Sequence, residues 1–80
     1  MKKYRGYYID HVHFHSEVEI DEFCKELAIE RYRMLCRMFA RSSSMALSVI
    51  MADHADRLHN VFGLGYDEIE RIEIEVFSAA

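Results

Sequence analysis

The chain has 80 residues, of which 51% are hydrophobic and 30% charged, and its formal net charge is −4. This composition is typical of a folded protein and excludes a disordered one. The acidic balance argues against binding of nucleic acid through its phosphates. The length allows one small domain, residues 1–80, in which we expect residues 1–5 to be loosely ordered.

Two features predict that the chain is neither inserted in a membrane nor exported. The longest nearly apolar run, residues 45–52, is far shorter than the roughly 20 residues that span a bilayer. The charged first residues are not followed by an apolar segment, as they would be in a secretory signal. We therefore expect no membrane partner and a cytoplasmic location.

Residues 12–20 alternate between apolar and polar side chains. One side carries Val12, Phe14, Ser16, Val18 and Ile20, and the other carries His11, His13, His15, Glu17 and Glu19. A period of two with aromatic and β-branched residues predicts a half-buried strand, followed by a helix with Asp21 as its N-cap. In an alternative interpretation the helix begins earlier, because Ser16 and Glu19 have the spacing of a capping box.

From residue 22 onward the apolar period is that of a helix. The first predicted helix has an apolar side made of Cys24, Leu27, Ala28, Arg31, Tyr32, Leu35, Met38 and Phe39. The serines at 42–44 supply an N-cap for a second helix, whose apolar stripe is Leu47, Ile50, Met51, His54, Leu58, Val61 and Phe62. Gly63 suits a left-handed position after that helix, with Leu64 as the hydrophobic residue that follows it. These segments predict an antiparallel helical hairpin.

The last segment fits either a strand or a helix. A helix over residues 67–78 would place Ile69, Ile72, Val76 and Phe77 on one side. We favour a strand within residues 68–77, because it could pair antiparallel with the first strand and bring glutamates opposite histidines. The predicted fold class is therefore α+β, a βααβ chain with an antiparallel helical hairpin on a two-stranded antiparallel sheet. The alternative is an all-α fold with residues 67–78 as a third helix.

Three closely spaced histidines are the candidates for metal binding. On a strand, His11, His13 and His15 would point the same way at a spacing of about 6.6–7 Å. Two of them could then share an ion with Glu73 or Glu75 of the neighbouring strand. The favoured interpretation is an exposed surface on which the histidines pair with glutamates and hold no metal. A pH-responsive surface is the third interpretation.

No catalytic group is indicated by the sequence. Cys24 and Cys36 would lie about 18 Å apart on one helix, too far for a disulfide, and we expect buried thiols. The serines at 42–44 cluster at a helix start, where capping explains them, and no strand-to-helix nucleophile turn is found. We therefore predict that the protein is not an enzyme and uses no cofactor.

One short motif resembles a known family. Residues 55–60, ADRLHN, resemble a segment of the HD-domain hydrolases that degrade the alarmone ppGpp, and this resemblance would make Asp56 a metal ligand. The match covers six of 80 residues, and the His-Asp dipeptide of that family does not occur in the sequence. We therefore explain the segment by local pairing of Asp53 with Arg57, four residues apart on a helix.

The remaining candidate is a surface that binds another protein. Tyr4, Tyr7 and Tyr8 cluster near the N-terminus, and aromatic residues favour interfaces. An acidic edge for a basic partner would be formed by Glu68, Glu70, Glu73 and Glu75.

These features lead to a functional expectation. A two-stranded sheet exposes both edges, which predicts a homodimer. We expect a small non-enzymatic protein-binding regulator or inhibitor, by analogy with compact acidic regulators that phages and mobile elements encode. The alternative, from another class of function, is a metal-binding sensor or metal-dependent enzyme that uses the strand histidines.

Overall fold

The computed structural model describes residues 2–10 and 13–79. In chain order its elements are β1 (Lys2–Tyr4), β2 (Tyr7–Ile9), α1 (Glu17–Ser42), α2 (Met45–Asn60) and α3 (Tyr66–Ala79). The α+β class, the two-stranded antiparallel sheet and the helical hairpin are confirmed. The predicted βααβ order is wrong, because the sheet is a local hairpin at the N-terminus and does not join the two ends of the chain.

Residues 2–5 were expected to be loosely ordered, but they form β1 and the first residue of the turn that joins β1 to β2. The turn is formed by Arg5 and Gly6, which both have positive φ angles, 49° and 92°. Two positive φ angles match the twist of an antiparallel pair. The φ of Gly6 favours glycine, and a Cβ atom there would also have to displace the end of the Arg57 side chain.

Two arginines attach the hairpin to the helices. Arg57 Nη2 donates a hydrogen bond to the carbonyl oxygen of Arg5 at 3.1 Å. In return, Arg5 Nη1 donates to the carbonyl oxygen of Val61 at 2.7 Å, and Arg5 Nε donates to Asp21 Oδ1 at 3.2 Å. The hairpin is therefore held at the end of the molecule where α1 begins and α2 ends.

The predicted strand at residues 12–20 is wrong for the part that the structure describes, since α1 begins at Glu17. Ser16, and not Asp21, is the N-cap: its hydroxyl accepts a hydrogen bond from the Glu19 N–H at 3.3 Å. The Glu19 carboxylate in turn accepts from the His15 N–H at 3.0 Å. This local capping decides the backbone in favour of the alternative interpretation. His11 and Val12 lie outside the described residues.

α1 is the central helix, and α2 and α3 pack on different sides of it. A buried residue occurs every four positions along its whole length, and these residues are Ile20, Cys24, Ala28, Tyr32 and Cys36. By contrast, the only fully buried residue of α2 is Leu58, near its C-terminal end. Arg31, the charged member of the predicted apolar side, lies over the ring of Tyr7 at 4.9 Å from its centroid.

The sequence signals at both ends of α2 are confirmed, although the helix ends at Asn60, before Val61 and Phe62 of the predicted stripe. The Ser44 hydroxyl accepts a hydrogen bond from the Leu47 N–H at 3.1 Å, which caps the N-terminus. After the helix, Gly63 takes a φ of 75°, and the Leu64 N–H donates to the carbonyl oxygen of Leu58 at 3.0 Å. The Leu64 side chain is buried. A left-handed glycine followed by a buried apolar residue thus ends α2 as the sequence predicts.

The predicted C-terminal strand is wrong, and the alternative helix is confirmed as α3. Ile69, Ile72 and Val76 are buried, at the three- and four-residue spacing of a helix. Ile74, which a strand would have placed beside Ile72 and Val76, is exposed. The helical stripe buries its apolar side chains against α1, and no strand is left nearby to pair with this segment among the described residues.

Candidate functional site

The two described histidines of the proposed metal site lie in the segment before α1. His13 Nε2 is 3.8 Å from Asp10 Oδ2, and both side chains are exposed. The backbone of His15 is engaged in the cap of α1, and its side chain is exposed as well. His11, the third candidate, lies outside the described residues.

The glutamates that were expected opposite these histidines contact α1 instead. The Tyr32 hydroxyl donates a hydrogen bond to Glu73 Oε1. Glu75 Oε2 lies 4.0 Å from Arg33 Nη2. The expected cross-strand pairing of histidine and glutamate is therefore wrong. Within residues 2–10 and 13–79, no group of three or more His, Cys, Asp or Glu side chains is placed to hold a metal ion.

The expected aromatic and acidic partner surface is divided. Tyr7 is buried, Tyr4 is half-buried against the core, and only Tyr8 is exposed. The four glutamates lie on α3 in two pairs: Glu68 and Glu75 are about 20° apart around the helix axis, and Glu70 and Glu73 about 60° apart on another side. The continuous acidic edge of a strand is therefore replaced by two smaller acidic areas.

A buried polar cluster between α1 and α3 is the first candidate for an active centre. It consists of Tyr32, Cys36 and Glu73, of which Tyr32 and Cys36 are fully buried. Burial raises the pKa of the Tyr32 hydroxyl, and the hydrogen bond to Glu73 raises it further. Burial, followed by the charge of Glu73, also raises the pKa of the Cys36 thiol. Nucleophiles need a lowered pKa, so this cluster joins two helices and does not activate a nucleophile.

The ADRLHN segment has a clear structural role in this fold. Arg57 donates to the Arg5 carbonyl and lies over the ring of Tyr7, at 5.9 Å from its centroid. His59 Nδ1 is 2.8 Å from the Leu64 carbonyl oxygen, and its ring stacks on Tyr66 at a centroid distance of 4.1 Å. The segment thus fastens α2 to the hairpin and to the start of α3.

The first half of α2 carries three exposed large apolar side chains, among them Met45, the most exposed apolar residue of the described chain. Met45, Val49 and Ile50 are 82%, 64% and 44% exposed. On α1, Met34 and Met38 are exposed too. We call these five residues the apolar surface. The sequence signal for this surface is the run at residues 45–52, which has apolar residues on every side of the helix. Ile50, which belongs to the predicted buried stripe, is exposed.

Helical geometry relates three of the five residues to the packed sides of α1 and α2. Ile50 is nine residues from His59, about 180° around α2, and His59 stacks on α3. Met34 lies about 160° around α1 from Tyr32, which also contacts α3. Both therefore face away from α3. Val49, about 180° from the buried Leu58, continues this surface over the outer side of α2.

A basic groove runs between α1 and α3. It has a volume of about 590 Å³ and is lined by Arg33, Arg37, Ala40, Arg41, Glu75, Val76 and Ala79. Arg33 is paired within the chain, to Glu30 at 2.6 Å and to Glu75. Arg37 and Arg41 are exposed and form no ion pair with the described residues. The groove therefore presents positive charge beside a small apolar floor.

Comparisons with known proteins add no family to this description. The chain matches no protein-family model, no curated protein and no solved structure. None of the described helices combines the length and the hydrophobicity that crossing a membrane requires. The apolar surface and the basic groove are therefore the two candidate binding sites of the described chain.

Proposed function

We propose that this protein is a small non-enzymatic regulator or inhibitor that acts in the cytoplasm as a homodimer and binds another protein. The observation that carries the proposal is the exposure of Met45, Val49 and Ile50 on the first half of α2. Monomeric soluble proteins rarely expose large contiguous apolar patches, and patches of that kind mark interaction sites. The part of the partner that binds here is accordingly apolar.

The composition of the apolar surface supports binding of protein. Met34, Met38 and Met45 have flexible, polarizable side chains that adapt to a partner's shape. Along the outer side of α2, Val49 is followed at helical spacing by Asp53 and Asp56, which are both exposed. The partner that fits this surface has an apolar cleft with basic residues at one edge.

Site-specific photo-crosslinking tests the proposal. A benzoylphenylalanine at position 49 would be irradiated in a lysate of the organism that encodes the chain, and cross-linked products identified by mass spectrometry. Position 78, an exposed serine on α3, provides the matched control. We expect one dominant product containing another protein from position 49 and no such product from position 78.

Substitution of the same surface completes the test. Val49→Ser with Ile50→Ser should leave the circular dichroism spectrum unchanged, because both side chains are exposed, and should abolish capture through a probe placed at position 45. Equal products from positions 49 and 78 would contradict the proposal. A product consisting only of the chain itself would assign the apolar surface to self-association and would contradict a separate partner.

A further inference from the structure

The charges on one side of α1 have a mirror pattern. Three acidic residues are followed by three basic residues at spacings of four, four, three, four and four, and they are Glu22, Glu26, Glu30, Arg33, Arg37 and Arg41. The midpoint lies between residues 31 and 32. At equal distances from this midpoint, each glutamate has an arginine as its counterpart.

Most of these charges are not used within the chain. Glu30 and Arg33, the inner pair, contact each other at 2.6 Å. Glu22, Glu26, Arg37 and Arg41 are exposed, and none is within 4.0 Å of an opposite charge among the described residues. This side of α1 borders α3 in two places. Arg37 and Arg41 lie at the basic groove, and Glu26 lies at a second, smaller groove between the two helices.

We propose that a second copy of this chain binds along this side of α1, with the two α1 helices antiparallel and a two-fold axis at the midpoint. The proposal rests on the homodimer of the proposed function and identifies its interface. In this register Glu26 lies level with Arg37 of the second copy, and Glu30 with Arg33 of the second copy. An isologous interface requires such self-complementarity, since each copy contributes the same surface.

The charge pattern selects the antiparallel orientation. In a parallel pair with the same register, Glu26 would face a second Glu26 and Arg37 a second Arg37, which is repulsive. The antiparallel pair brings opposite charges together and also places opposite ends of the helix dipoles side by side. The repulsion in the wrong orientation specifies the dimer as much as the attraction in the right one.

The basic groove accommodates the acidic half of the second copy. Its volume of about 590 Å³ lies beside Arg33, Arg37 and Arg41, where the register places the second copy's glutamates. Phe23, an exposed aromatic residue of the acidic half, comes level with Ala40 and Arg41 of the second copy. An aromatic ring beside an arginine adds an apolar and a cation–π contact to the ion pairs.

Charge reversal with rescue tests this register. Within one copy, Glu26 and Arg37 are eleven residues apart, about 16 Å along the helix, and therefore do not pair. Arg37→Glu places two glutamates opposite each other, and Glu26→Arg places two arginines opposite each other. The double variant E26R/R37E restores opposite charges, and it does so only between copies.

Sedimentation equilibrium of the wild type and the three variants gives the dimer dissociation constants. We expect each single reversal to raise Kd by about tenfold or more, and the double variant to return it to within about threefold of the wild type. Because the pairs are exposed, the wild-type Kd should also rise between about 0.02 M and about 0.5 M NaCl. Asp56→Arg, an exposed reversal on α2, is the control and should leave Kd unchanged.

The outcomes separate the interface from the dimer itself. A wild-type chain that stays monomeric up to about 1 mM would overturn the homodimer and this proposal together. A dimer whose Kd is unaffected by both single reversals would overturn the α1 interface and leave the homodimer standing. Single variants that weaken the dimer without rescue in the double variant would overturn the pairing of residue 26 with residue 37.

Discussion

The two ends of the α1–α2 hairpin bury apolar side chains to very different degrees. At the end that carries the β-hairpin, Leu58 is 1% exposed and Tyr7 is 9% exposed. At the other end, Met45 and Val49 of the same helix are 82% and 64% exposed. The second half of α2 has one large apolar residue, Leu58, whereas the first half has five, so the number of apolar residues does not decide which of them are buried.

The difference comes from how many elements meet at each end. Around Leu58, α1, the β-hairpin, the turn at Leu64 and the start of α3 all contribute to one core. Around Val49, the exposure of Met45 and Val49 shows that none of the described elements covers the outer side of α2. A helix covered on one side leaves its other sides in water, so the apolar residues there are available to another molecule.

The largest expected effect is that of removing a side chain at the covered end. Leu58→Ala should lower the free energy of unfolding by about 2–5 kcal/mol, because it leaves a cavity in the packed core. The matched substitution Val49→Ala at the open end should change it by less than about 0.5 kcal/mol. Urea unfolding followed by circular dichroism measures both; similar losses would show that the open end is packed in solution.

The next effect concerns the hydrogen bond that joins α1 to α3. Tyr32→Phe removes the hydroxyl that donates to Glu73 and leaves that carboxylate without this partner. We expect a loss of about 1.5–3 kcal/mol, the range for hydrogen bonds to charged groups. Tyr66→Phe, at an exposed tyrosine on α3, is the control and should cost less than about 0.5 kcal/mol. Equal losses would mean that the Tyr32 hydroxyl contributes no more to stability than the exposed hydroxyl of Tyr66.

A smaller effect is expected where α2 ends. Gly63→Ala puts a Cβ atom on a residue with a φ of 75°, which costs about 1–2 kcal/mol. Apart from the two neighbouring residues, no described residue has an atom within 4 Å of that Cβ position, so the cost is conformational and not steric. Gly63→Asn should cost less, because asparagine tolerates this conformation. Thermal unfolding of the two variants compares them, and an equal loss would contradict a purely conformational origin.

The elements that could be predicted from the sequence are those with local signals. The capping serine at 44 and the glycine at 63 define α2 without help from other elements. The predicted strand at residues 12–20 is wrong in its described part because the Ser16–Glu19 cap starts a helix there in spite of the alternation. At the C-terminus, Ile72 and Val76 fit both periods, Ile69 fits only the helical one and Ile74 only the alternation, and packing against α1 decided for the helix.

The elements that could not be predicted depend on contacts between distant residues. The β-hairpin has Arg5 at a positive φ, where hairpin turns usually carry asparagine or aspartate, so its turn gives little sequence signal. Its position depends on Arg57 and Val61, more than 50 residues away. The apolar surface was missed for the same reason, since periodicity does not show how many helices pack against α2.

The smallest effect is a pH dependence at His54, midway between the two ends of α2. Partial burial lowers the pKa of His54 from its usual value of about 6.5, with Arg57 and Arg31 acting in the same direction and Asp53 against them. Below about pH 6.5 the unfolded state then binds a proton more readily than the folded state, so stability falls as the pH falls.

His54→Gln should reduce the loss of stability between pH 8 and pH 5.5, measured by urea unfolding at each pH. At pH 8 His54 is neutral in both states, so the difference between the variant and the wild type there reports only the change in packing. The stability of each protein at pH 5.5 is therefore compared with its own stability at pH 8. If His54→Gln lost as much stability between pH 8 and pH 5.5 as the wild type, water would reach the His54 ring freely. The packed region of α2 would then end closer to Leu58.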